Sequence, residues 1–283
     1  NCYSKQELPK IKLDQLGFTS STITQPKYFF DNQIIDDYES TRNFPYLNKT
    51  SRLGAALRFG TISIRKVVKK AASRPSKTFL KELIWREFFM QILWHYPHTC
   101  NESFKPQYDR IEWRNNEKDF ENWCLGKTGF PLVDAGMREL NKTGFMHNRV
   151  RMITSSFLCK QLLIDWRWGE KYFALKLNDY EMSSNVGNWQ WASGSGVDAA
   201  PYFRIFNPIL QGEKFDKEGL YVKRWVPELE KVPAKFIHKP WEMEMKYQDA
   251  IKTIIGKDYP KPIVVHEEAR AAALQAFQYL KKS

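Results

Sequence analysis

Acids, amides, indoles and an arginine are crowded into residues 179–206, the string DYEMSSNVGNWQWASGSGVDAAPYFRIF. A plain hydrophobic core holds few such groups, because a buried polar group without a hydrogen-bond partner destabilises the fold. A redox cofactor needs polar groups around its ring nitrogens as well as flat apolar walls. The composition of this segment therefore indicates a cofactor site, within which Asp198 is interpreted as a structural residue.

A second group with the spacing of one helix face is found in a long apolar stretch. Glu82 and Trp85 lie three residues apart, and Arg86 follows Glu82 by four, so the guanidinium is able to pair with the acid. The alternative is an internal ion pair beside a core tryptophan. Polar side chains on so apolar a helix favour a site, but the pattern leaves both interpretations open.

Two basic segments could bind phosphate or line a cavity. Residues 50–53 supply hydroxyls and backbone N–H groups where a helix is expected to begin, with Arg52 adding charge, as a pyrophosphate requires. Asn148, Arg151 and Met152 fall within one helical turn and can face one cavity. Each pattern is also typical of an ordinary helix cap, and the spacing alone does not choose between the two interpretations.

The elements that must position these residues are predicted to be helices. Phe79–Trp94 is apolar almost all round, as in a helix buried in a bundle, and Val150–Trp166 shows a similar long pattern. Pro131–Leu140 begins with a helix-starting proline, and His266–Lys282 is alanine-rich and amphipathic. Residues 1–40 read as a connecting segment with one short helix. No alternating strand pattern occurs, so the fold class is predicted to be all-α.

The composition favours a globular protein with a polyanionic partner. The 283 residues are 42% hydrophobic and 15% aromatic, enough for a large core, and 44 Lys plus Arg against 32 Asp plus Glu give a net charge of +12. A basic surface kept for solubility is the alternative. Widely spaced cysteines without a CxxC pair suggest neither a metal site nor a disulfide framework, and fit a reducing, intracellular setting; they are Cys2, Cys100, Cys124 and Cys159.

Neither a membrane span nor a signal peptide is visible in the sequence. No stretch approaches the roughly 20 apolar residues that a span requires, and the first ten residues lack an apolar core. We therefore expect a soluble intracellular monomer without a membrane partner. Because the chain opens on Asn1, we also expect a processed product, a fragment, or numbering that begins inside a longer protein.

Four strings together resemble the DNA photolyase and cryptochrome family. They are Tyr38–Pro45, Thr50–Leu53, Met146–Met152 and NVGNWQW at 185–191, of which the last looks most like the branch that repairs cyclobutane pyrimidine dimers. The resemblance implies that residues 38–283 form the helical FAD- and DNA-binding catalytic domain and that residues 1–37 are an inter-domain tail. The family's N-terminal α/β antenna domain is not present in this chain, so no antenna chromophore can be assigned.

The resemblance implies FAD as the cofactor, reduced and anionic in the active state. Asn185 would face the redox-active ring nitrogen and accept a hydrogen bond from it, which favours the reduced flavin. Glu82 and Asn148 would also stabilise the reacting substrate. The residues that the resemblance assigns to cofactor binding are Tyr38, Thr50, Ser51, Arg52, Leu53, Glu82, Arg86, Asn148, Arg151, Asp179, Glu181 and Asn185.

The same resemblance implies a substrate cavity and an electron relay. In the (6-4) photoproduct branch two histidines stand where this chain has His147 and Asn148, a departure that favours cyclobutane dimers. Three indoles, Trp189, Trp166 and Trp113, match the family's chain that carries an electron from the surface to the excited flavin. The residues implied to contact the dimer or its DNA are Glu82, Trp85, Arg149, Met152, Trp191 and Arg204.

These motifs imply a deoxyribodipyrimidine photolyase, which is a carbon–carbon lyase. Light would drive electron transfer from FAD to a flipped-out pyrimidine dimer in DNA, in the cytoplasm of a prokaryote or the nucleus of a eukaryote. A cryptochrome-like blue-light photoreceptor is the alternative, disfavoured by Glu82, Trp85, Met152 and Asn185. A third interpretation, a basic helical nucleic-acid-binding module without cofactor, leaves the acids and amides unexplained.

Overall fold

Helices provide the regular structure of residues 10–19 and 27–282, the part of the chain described by this computed structural model. No strand occurs there beyond one isolated bridge between Ile255 and Tyr259. The predicted all-α class is confirmed. In chain order the α-helices of this part are α1 (Asn32–Thr41), α2 (Gly54–Arg58), α3 (Ile64–Ala72), α4 (Thr78–His95), α5 (Glu117–Leu125), α6 (Pro131–Thr143), α7 (Asn148–Ser156), α8 (Trp166–Lys176), α9 (Met182–Ser193), α10 (Pro208–Phe215), α11 (Leu220–Trp225), α12 (Met245–Ile251) and α13 (His266–Lys282).

The long apolar helix is present as α4, but the prediction that it is buried inside a bundle is wrong. Phe79, Leu83 and Phe89 are buried, whereas Ile84 is 59% exposed and Trp94 is 80% exposed. An apolar pattern without a polar face cannot show which side of a helix meets other elements. One side of α4 packs on its neighbours, while other residues border a cleft or face solvent.

The predicted helix over Val150–Trp166 is interrupted. α7 continues into one π-helical turn at Phe157–Gln161 and then ends. Leu163 has the left-handed φ of 52°, which a helix does not accept. Asp165 then caps α8, because its carboxylate accepts a hydrogen bond from the Arg167 N–H at 2.9 Å. Trp166 therefore starts a new helix instead of ending the old one.

The other predicted helices are confirmed with small changes at their ends. α6 begins at Pro131, as predicted, and runs three residues beyond Leu140. α13 spans His266–Lys282. The predicted domain boundary between residues 37 and 38 falls inside α1; the division of the chain at that point stays a prediction. Within the described ranges, no helix combines the length and apolar character that crossing a membrane requires.

Two hydrophobic clusters border one cleft. The smaller cluster joins α1, α3 and the first half of α4 through Ile35, Val67 and Phe79. The larger cluster joins α5 to α9 with α11, and Trp123 and Trp189 are among its buried members. α4 also contacts α9, so helices from both clusters meet along the cleft. The residues singled out by the sequence lie mainly on its walls.

Candidate functional site: a cleft of three cavities

Three adjoining cavities form the cleft. The α2 cavity, of about 280 Å³, lies between α1, residues 50–53, α2, α4 and the start of α7. The inner cavity, of about 100 Å³, lies between α7, α8, residues 177–181 and α9. The outer cavity, of about 290 Å³, is walled by Arg42, α4, α7 and α9. Asn148 borders all three, so the cavities adjoin at this residue.

Arg52 holds an unused donor at the α2 cavity. Its backbone has the left-handed φ of 53°, a conformation that costs a non-glycine residue about 1 kcal/mol or more. This turn places the guanidinium between Asn48, whose Oδ1 accepts from Nη2 at 2.6 Å, and the ring of Phe145, 4.6 Å away. The Arg52 Nε is buried and has no hydrogen-bond partner among the described residues. A ligand acceptor at this point would satisfy it.

The hydroxyls of Thr50 and Ser51 line the same cavity, as do Leu53 and Tyr38. The Tyr38 ring packs edge-on against Phe79, with ring centroids 5.2 Å apart. Burial, and then the negative charge of Glu82, raise the pKa of Tyr38, so its hydroxyl keeps its proton. Two hydroxyl-bearing residues and a guanidinium therefore meet at this end of the cleft, while a phosphate site there stays a prediction.

An ion pair joins the α2 cavity to the inner cavity. Arg151 Nη2 donates to both carboxylate oxygens of Asp179, at 3.0 and 3.1 Å, while its Nε donates to the Met146 carbonyl at 2.7 Å. Gly54 allows Asp179 to come this close, since a Cβ at Gly54 would lie 2.6 Å from the Asp179 Oδ2. Arg151 and Asp179 both border the two cavities, so they lie at the bend of the cleft.

Asn185 is fixed on the wall of the inner cavity by a residue that the sequence did not reveal. Its Nδ2 donates to the Glu170 carbonyl at 3.1 Å and to Glu170 Oε1 at 2.9 Å, which leaves Oδ1 able to accept. Burial raises the pKa of Glu170, although the hydrogen bond from Asn185 opposes this effect. Glu170 precedes Asn185 by fifteen residues on another helix, so no local spacing could have linked them.

Glu181 borders the inner cavity, but its carboxylate also caps α9. It accepts hydrogen bonds from the Ser183 and Ser184 N–H groups at 3.2 and 3.0 Å, and from the Ser183 hydroxyl. Burial alone would raise the pKa of Glu181, but these hydrogen bonds outweigh it and lower the pKa. Glu181 therefore fixes where α9 begins, and thus where Asn185 lies along the cavity wall.

Glu82 pairs with an arginine from another element. Its carboxylate accepts from Arg42 at the end of α1, and not from Arg86, which the spacing had put within reach. Spacing along one helix shows only which partners are within reach, whereas Arg42 arrives from another helix. Arg86 instead lines both the α2 and the outer cavity, and its guanidinium has no hydrogen bond among the described residues.

Aromatic and amide groups cover the outer cavity. Trp85, with 42% of its surface exposed, lines this cavity together with Met152 and Trp191. Asn188, which the sequence analysis missed, borders both the inner and the outer cavity together with Ser184. The sequence could have revealed Asn188, because it lies three residues after Asn185 and therefore on the same face of the helix. The exposed Asp198 also borders the outer cavity, contrary to its interpretation as structural.

Asn148 is placed at the junction by the cap of α7. His147 Nδ1 accepts from the Arg149 N–H at 3.1 Å, and burial, with Arg151 next, lowers the pKa of His147 to about 4, so the ring is neutral. Arg149 does not line the three cavities: its guanidinium donates to Asn43 Oδ1 at 2.6 and 3.2 Å. Arg204 is exposed and also lies outside the cavity walls.

The three tryptophans assigned to a relay differ in burial. Trp189 is 2% exposed and borders the inner cavity, Trp166 is 1% exposed, and Trp113 is half-buried. Gly169 gives Trp189 its room, since a Cβ there would lie 2.1 Å from the indole. The Trp113 ring lies edge-on to Phe277 of α13, at 6.2 Å. Trp113 is therefore the one of the three that is open to solvent, while the electron relay itself stays a prediction.

The cleft fits a flavin dinucleotide. One end offers hydroxyls and the unused Arg52 donor, suited to phosphates, and the bend carries the Arg151–Asp179 pair. The other end offers amides and indoles, suited to a redox-active ring. An all-α fold with such a cleft defines a helical flavin-binding domain.

The comparison with protein families also indicates a flavin-binding domain. Residues 79–279 match the FAD-binding domain of DNA photolyase, so the chain belongs to this family, whose cofactor is FAD.

Individual relatives show which proteins of this family the chain is similar to. The chain is similar to a protein of Escherichia coli named deoxyribodipyrimidine photo-lyase, with 46% identity over 271 residues, 93% of this chain and 56% of the relative. A class III photolyase structure from Agrobacterium tumefaciens matches with a TM-score of 0.85 and 48% identity, over 88% of this chain and 53% of that one. A Synechocystis cryptochrome structure matches with a TM-score of 0.81 and 38% identity, over 88% and 53%. The chain spans about half the length of the curated relatives it matches.

Proposed function

We propose that this domain repairs cyclobutane pyrimidine dimers in DNA, as a light-driven carbon–carbon lyase. One observation carries the proposal: the outer and inner cavities adjoin and share five lining residues. Two linked pyrimidines flipped into the outer cavity would therefore lie close to a ring held at Asn185. The walls common to both cavities are Asn148, Met152, Ser184, Asn188 and Trp191. The names of the relatives support the same activity.

When bound, reduced FAD would supply a light-excited electron donor. The chain's own residues position and shield it: Arg52 and the hydroxyls of Thr50 and Ser51 would bind its phosphates, while Asn185 would orient its ring. Because reacting groups held in contact need no further diffusion or solvent rearrangement, this positioning is the main contribution of the protein. The proposed cofactor-binding set is completed by Tyr38, Leu53, Glu82, Arg86, Asn148, Arg151, Asp179 and Glu181.

Substrate recognition is proposed to begin with base flipping. Extruding a base from the duplex costs a few kcal/mol, and less for damaged bases that stack poorly. Trp85, Trp191 and Met152 would cover the flat faces of the dimer. Glu82, held by Arg42, and the Asn148 amide would form hydrogen bonds to its edges and stabilise negative charge that develops there. The outer cavity therefore offers both the apolar walls and the polar groups that a pyrimidine dimer requires.

The positive charge of the chain suits the DNA around the lesion. Arg149 and Arg204 are proposed to bind phosphates at the rim, and the net charge of +12 would attract the duplex at longer range. Because phosphate contacts release counterions, we expect the affinity for damaged DNA to fall steeply as salt rises. Acting on DNA, the domain is proposed to work inside the cell, as a monomer, in the cytoplasm or the nucleus. We also propose that residues 1–37 form a tail outside the catalytic domain at 38–283.

The decisive experiment measures repair of an oligonucleotide that carries one cyclobutane thymine dimer. FAD-reconstituted, chemically reduced protein would be illuminated with blue light, beside a dark control and an illuminated apoprotein control. The expected result is light-dependent recovery of intact thymines. Protein that retains flavin, binds the oligonucleotide and yet leaves the dimer intact in the light would overturn the proposal.

A photoreceptor is the second candidate, favoured by the similarity to the Synechocystis cryptochrome structure. It would use FAD and the tryptophans without repair. The same assay separates the two functions, because both predict a flavin-loaded, light-sensitive protein but only the lyase restores thymines. Flavin loading and photoreduction without repair would favour the photoreceptor.

A further inference from the structure

A charged cluster outside the cleft lies against the middle tryptophan of the proposed relay. The guanidinium carbon of Arg167 is 4.8 Å from the ring centroid of Trp166. Trp166 itself is 1% exposed, so little water reaches the indole. A positive charge at this distance from a poorly solvated ring interacts with it strongly.

The guanidinium cannot easily move away from the indole. Its Nε donates to the Asn101 carbonyl at 2.6 Å, Nη1 donates to Asp165 Oδ2 at 3.1 Å, and Nη2 donates to Asp109. Asp109 is fixed in turn, because the Ser103 N–H and hydroxyl both donate to its carboxylate. Burial would raise the pKa of Asp109, but the hydrogen bonds from Ser103 and Arg167 outweigh it and lower the pKa, so the carboxylate stays charged.

The indole N–H of Trp166 has no route for its proton. Its Nε1 is buried without a hydrogen-bond partner among the described residues. An oxidised indole becomes a stable neutral radical only when it gives up this proton. Trp166 lacks an acceptor for it, whereas Trp113 is half-buried and closer to solvent. A positive charge on Trp166 therefore has no local way of being trapped.

We propose that Arg167 is a positioning residue that makes Trp166 a transit site, from which positive charge moves outward to Trp113. The inference rests on the proposed relay. In this sequence Trp189 would give one electron to light-excited, oxidised FAD, when FAD is bound. Trp166 gives one electron to oxidised Trp189 and takes one electron from Trp113. Trp113 then loses its indole proton to water, and a dissolved thiol returns a hydrogen atom to it. Each indole thus ends as it began, and the thiol supplies the electron.

The sign of each charge makes the inference testable. A cation near Trp166 raises its oxidation potential, so removing that cation should let positive charge remain on the indole. Removing the carboxylate of Asp109 should do the opposite, because it leaves the guanidinium less compensated. If the cluster only held Asn101 and Asp109 against α8, both substitutions would change the positive charge on Trp166 in the same direction.

The test uses FAD-loaded full chains of Arg167→Gln, Arg167→Lys and Asp109→Asn. Transient absorption after a light pulse separates the tryptophan radical cation from the neutral radical formed by proton loss. In a Trp113→Phe chain the positive charge cannot move on from Trp166, so this variant provides the reference spectrum of the Trp166 radical cation. We expect Arg167→Gln to raise the ratio of cation to neutral radical by about tenfold or more. Arg167→Lys should restore most of the wild-type ratio, and Asp109→Asn should lower it.

Two further measurements keep the outcomes distinct. The unfolding midpoint of each apoprotein reports damage to the fold, and dimer repair by chemically reduced protein bypasses the relay. Equal ratios in wild type and Arg167→Gln, or shifts of Arg167→Gln and Asp109→Asn in one direction, would overturn the inference. A wild-type chain without tryptophan radicals would also overturn it, while continued repair by the reduced protein would leave the proposed function standing.

Discussion

The inner and outer cavities share a wall but hold their polar groups differently. In the inner cavity Asn185 is bonded twice to Glu170, and Arg151 is bonded to both Asp179 and the Met146 carbonyl. In the outer cavity Trp85 is 42% exposed, and the Arg86 guanidinium has no hydrogen bond among the described residues.

This difference corresponds to two kinds of ligand. Side chains already held in place lose little entropy on binding, which suits a cofactor that stays bound and needs an exact orientation. Exposed side chains that can still adjust suit a ligand that enters and leaves, such as a flipped pyrimidine dimer. Substitutions in the inner cavity should therefore affect the cofactor and the fold, whereas substitution of Trp85, which lines the outer cavity but neither of the other two, should affect only DNA binding.

The largest effect is expected from Arg151→Met. The change leaves the Asp179 carboxylate, with a side chain 21% exposed, without its partner, and such a loss costs about 1–3 kcal/mol. We expect FAD affinity to fall by about a hundredfold and the apoprotein to be less stable. Flavin fluorescence titration and thermal unfolding measure both effects.

Arg58→Met is the matched control for this change. Arg58 is exposed, and its Nε donates to the Tyr180 carbonyl at 3.0 Å beside the same cleft. It should bind FAD nearly as tightly as wild type. If Arg151→Met also retains its flavin, the inner cavity does not depend on this pair and the comparison between the cavities fails.

Trp85→Ala should produce the next largest effect, confined to DNA. Stacking of a base on an aromatic side chain contributes about 1–3 kcal/mol, so affinity for an oligonucleotide with one thymine dimer should fall by roughly tenfold. Flavin content should not change. Trp94→Ala is the control, because Trp94 is on the same helix, is 80% exposed and does not line the cavities. Equal dimer affinity for the Trp85 and Trp94 variants would remove Trp85 from the substrate site.

Trp113→Phe tests whether electrons travel from the protein surface to the inner cavity through Trp113. Phenylalanine keeps the apolar contact with Phe277 but is much harder to oxidise. We expect photoreduction of bound flavin to slow several-fold, while dimer affinity and repair by chemically reduced protein stay at wild-type levels. Trp94→Phe serves as the control. Normal photoreduction of Trp113→Phe would show that electrons reach the inner cavity by another route.

The sequence located the cleft better than it located the partners within it. The residues of the α2 cavity and the face of α9 follow from short motifs, because a motif keeps its neighbours on one turn or one helix face. Arg42 and Glu82 are forty residues apart and meet only because α1 packs against α4. Such long-range partners depend on tertiary packing, which no local spacing reports.

The interruption after α7 was harder to predict from the sequence. Its apolar pattern continues through Leu162, and Leu163 gives no hint of its left-handed backbone, a conformation uncommon for a leucine. Asp165 was the available sign, since aspartate is a preferred cap residue. The consequence is functional, because the break places Trp166 and Arg167 on the first turn of α8 instead of on a continuous helix.

The smallest effect is expected from Glu170→Gln, which tests how the inner cavity holds Asn185. Glutamine still accepts from the Asn185 amide but cannot ionise. Burial raises the pKa of Glu170 in the folded protein, so the folded state binds this proton more tightly than the unfolded chain does. The stability that Glu170 contributes is therefore present below the ordinary glutamate pKa and is lost as pH rises through the raised value.

Glutamine removes this dependence, so the apoprotein of Glu170→Gln should gain stability relative to wild type as pH rises from acidic towards neutral. The difference in unfolding midpoint should stay within about 2–4 °C, as for a change of about 1 kcal/mol in a domain of this size. Exposed Glu213, changed to Gln, provides the control and should show no such trend. A midpoint difference that does not vary with pH would mean that Glu170 is solvated in the apoprotein. The amide of Asn185 would then be oriented by FAD instead of being held ready for it.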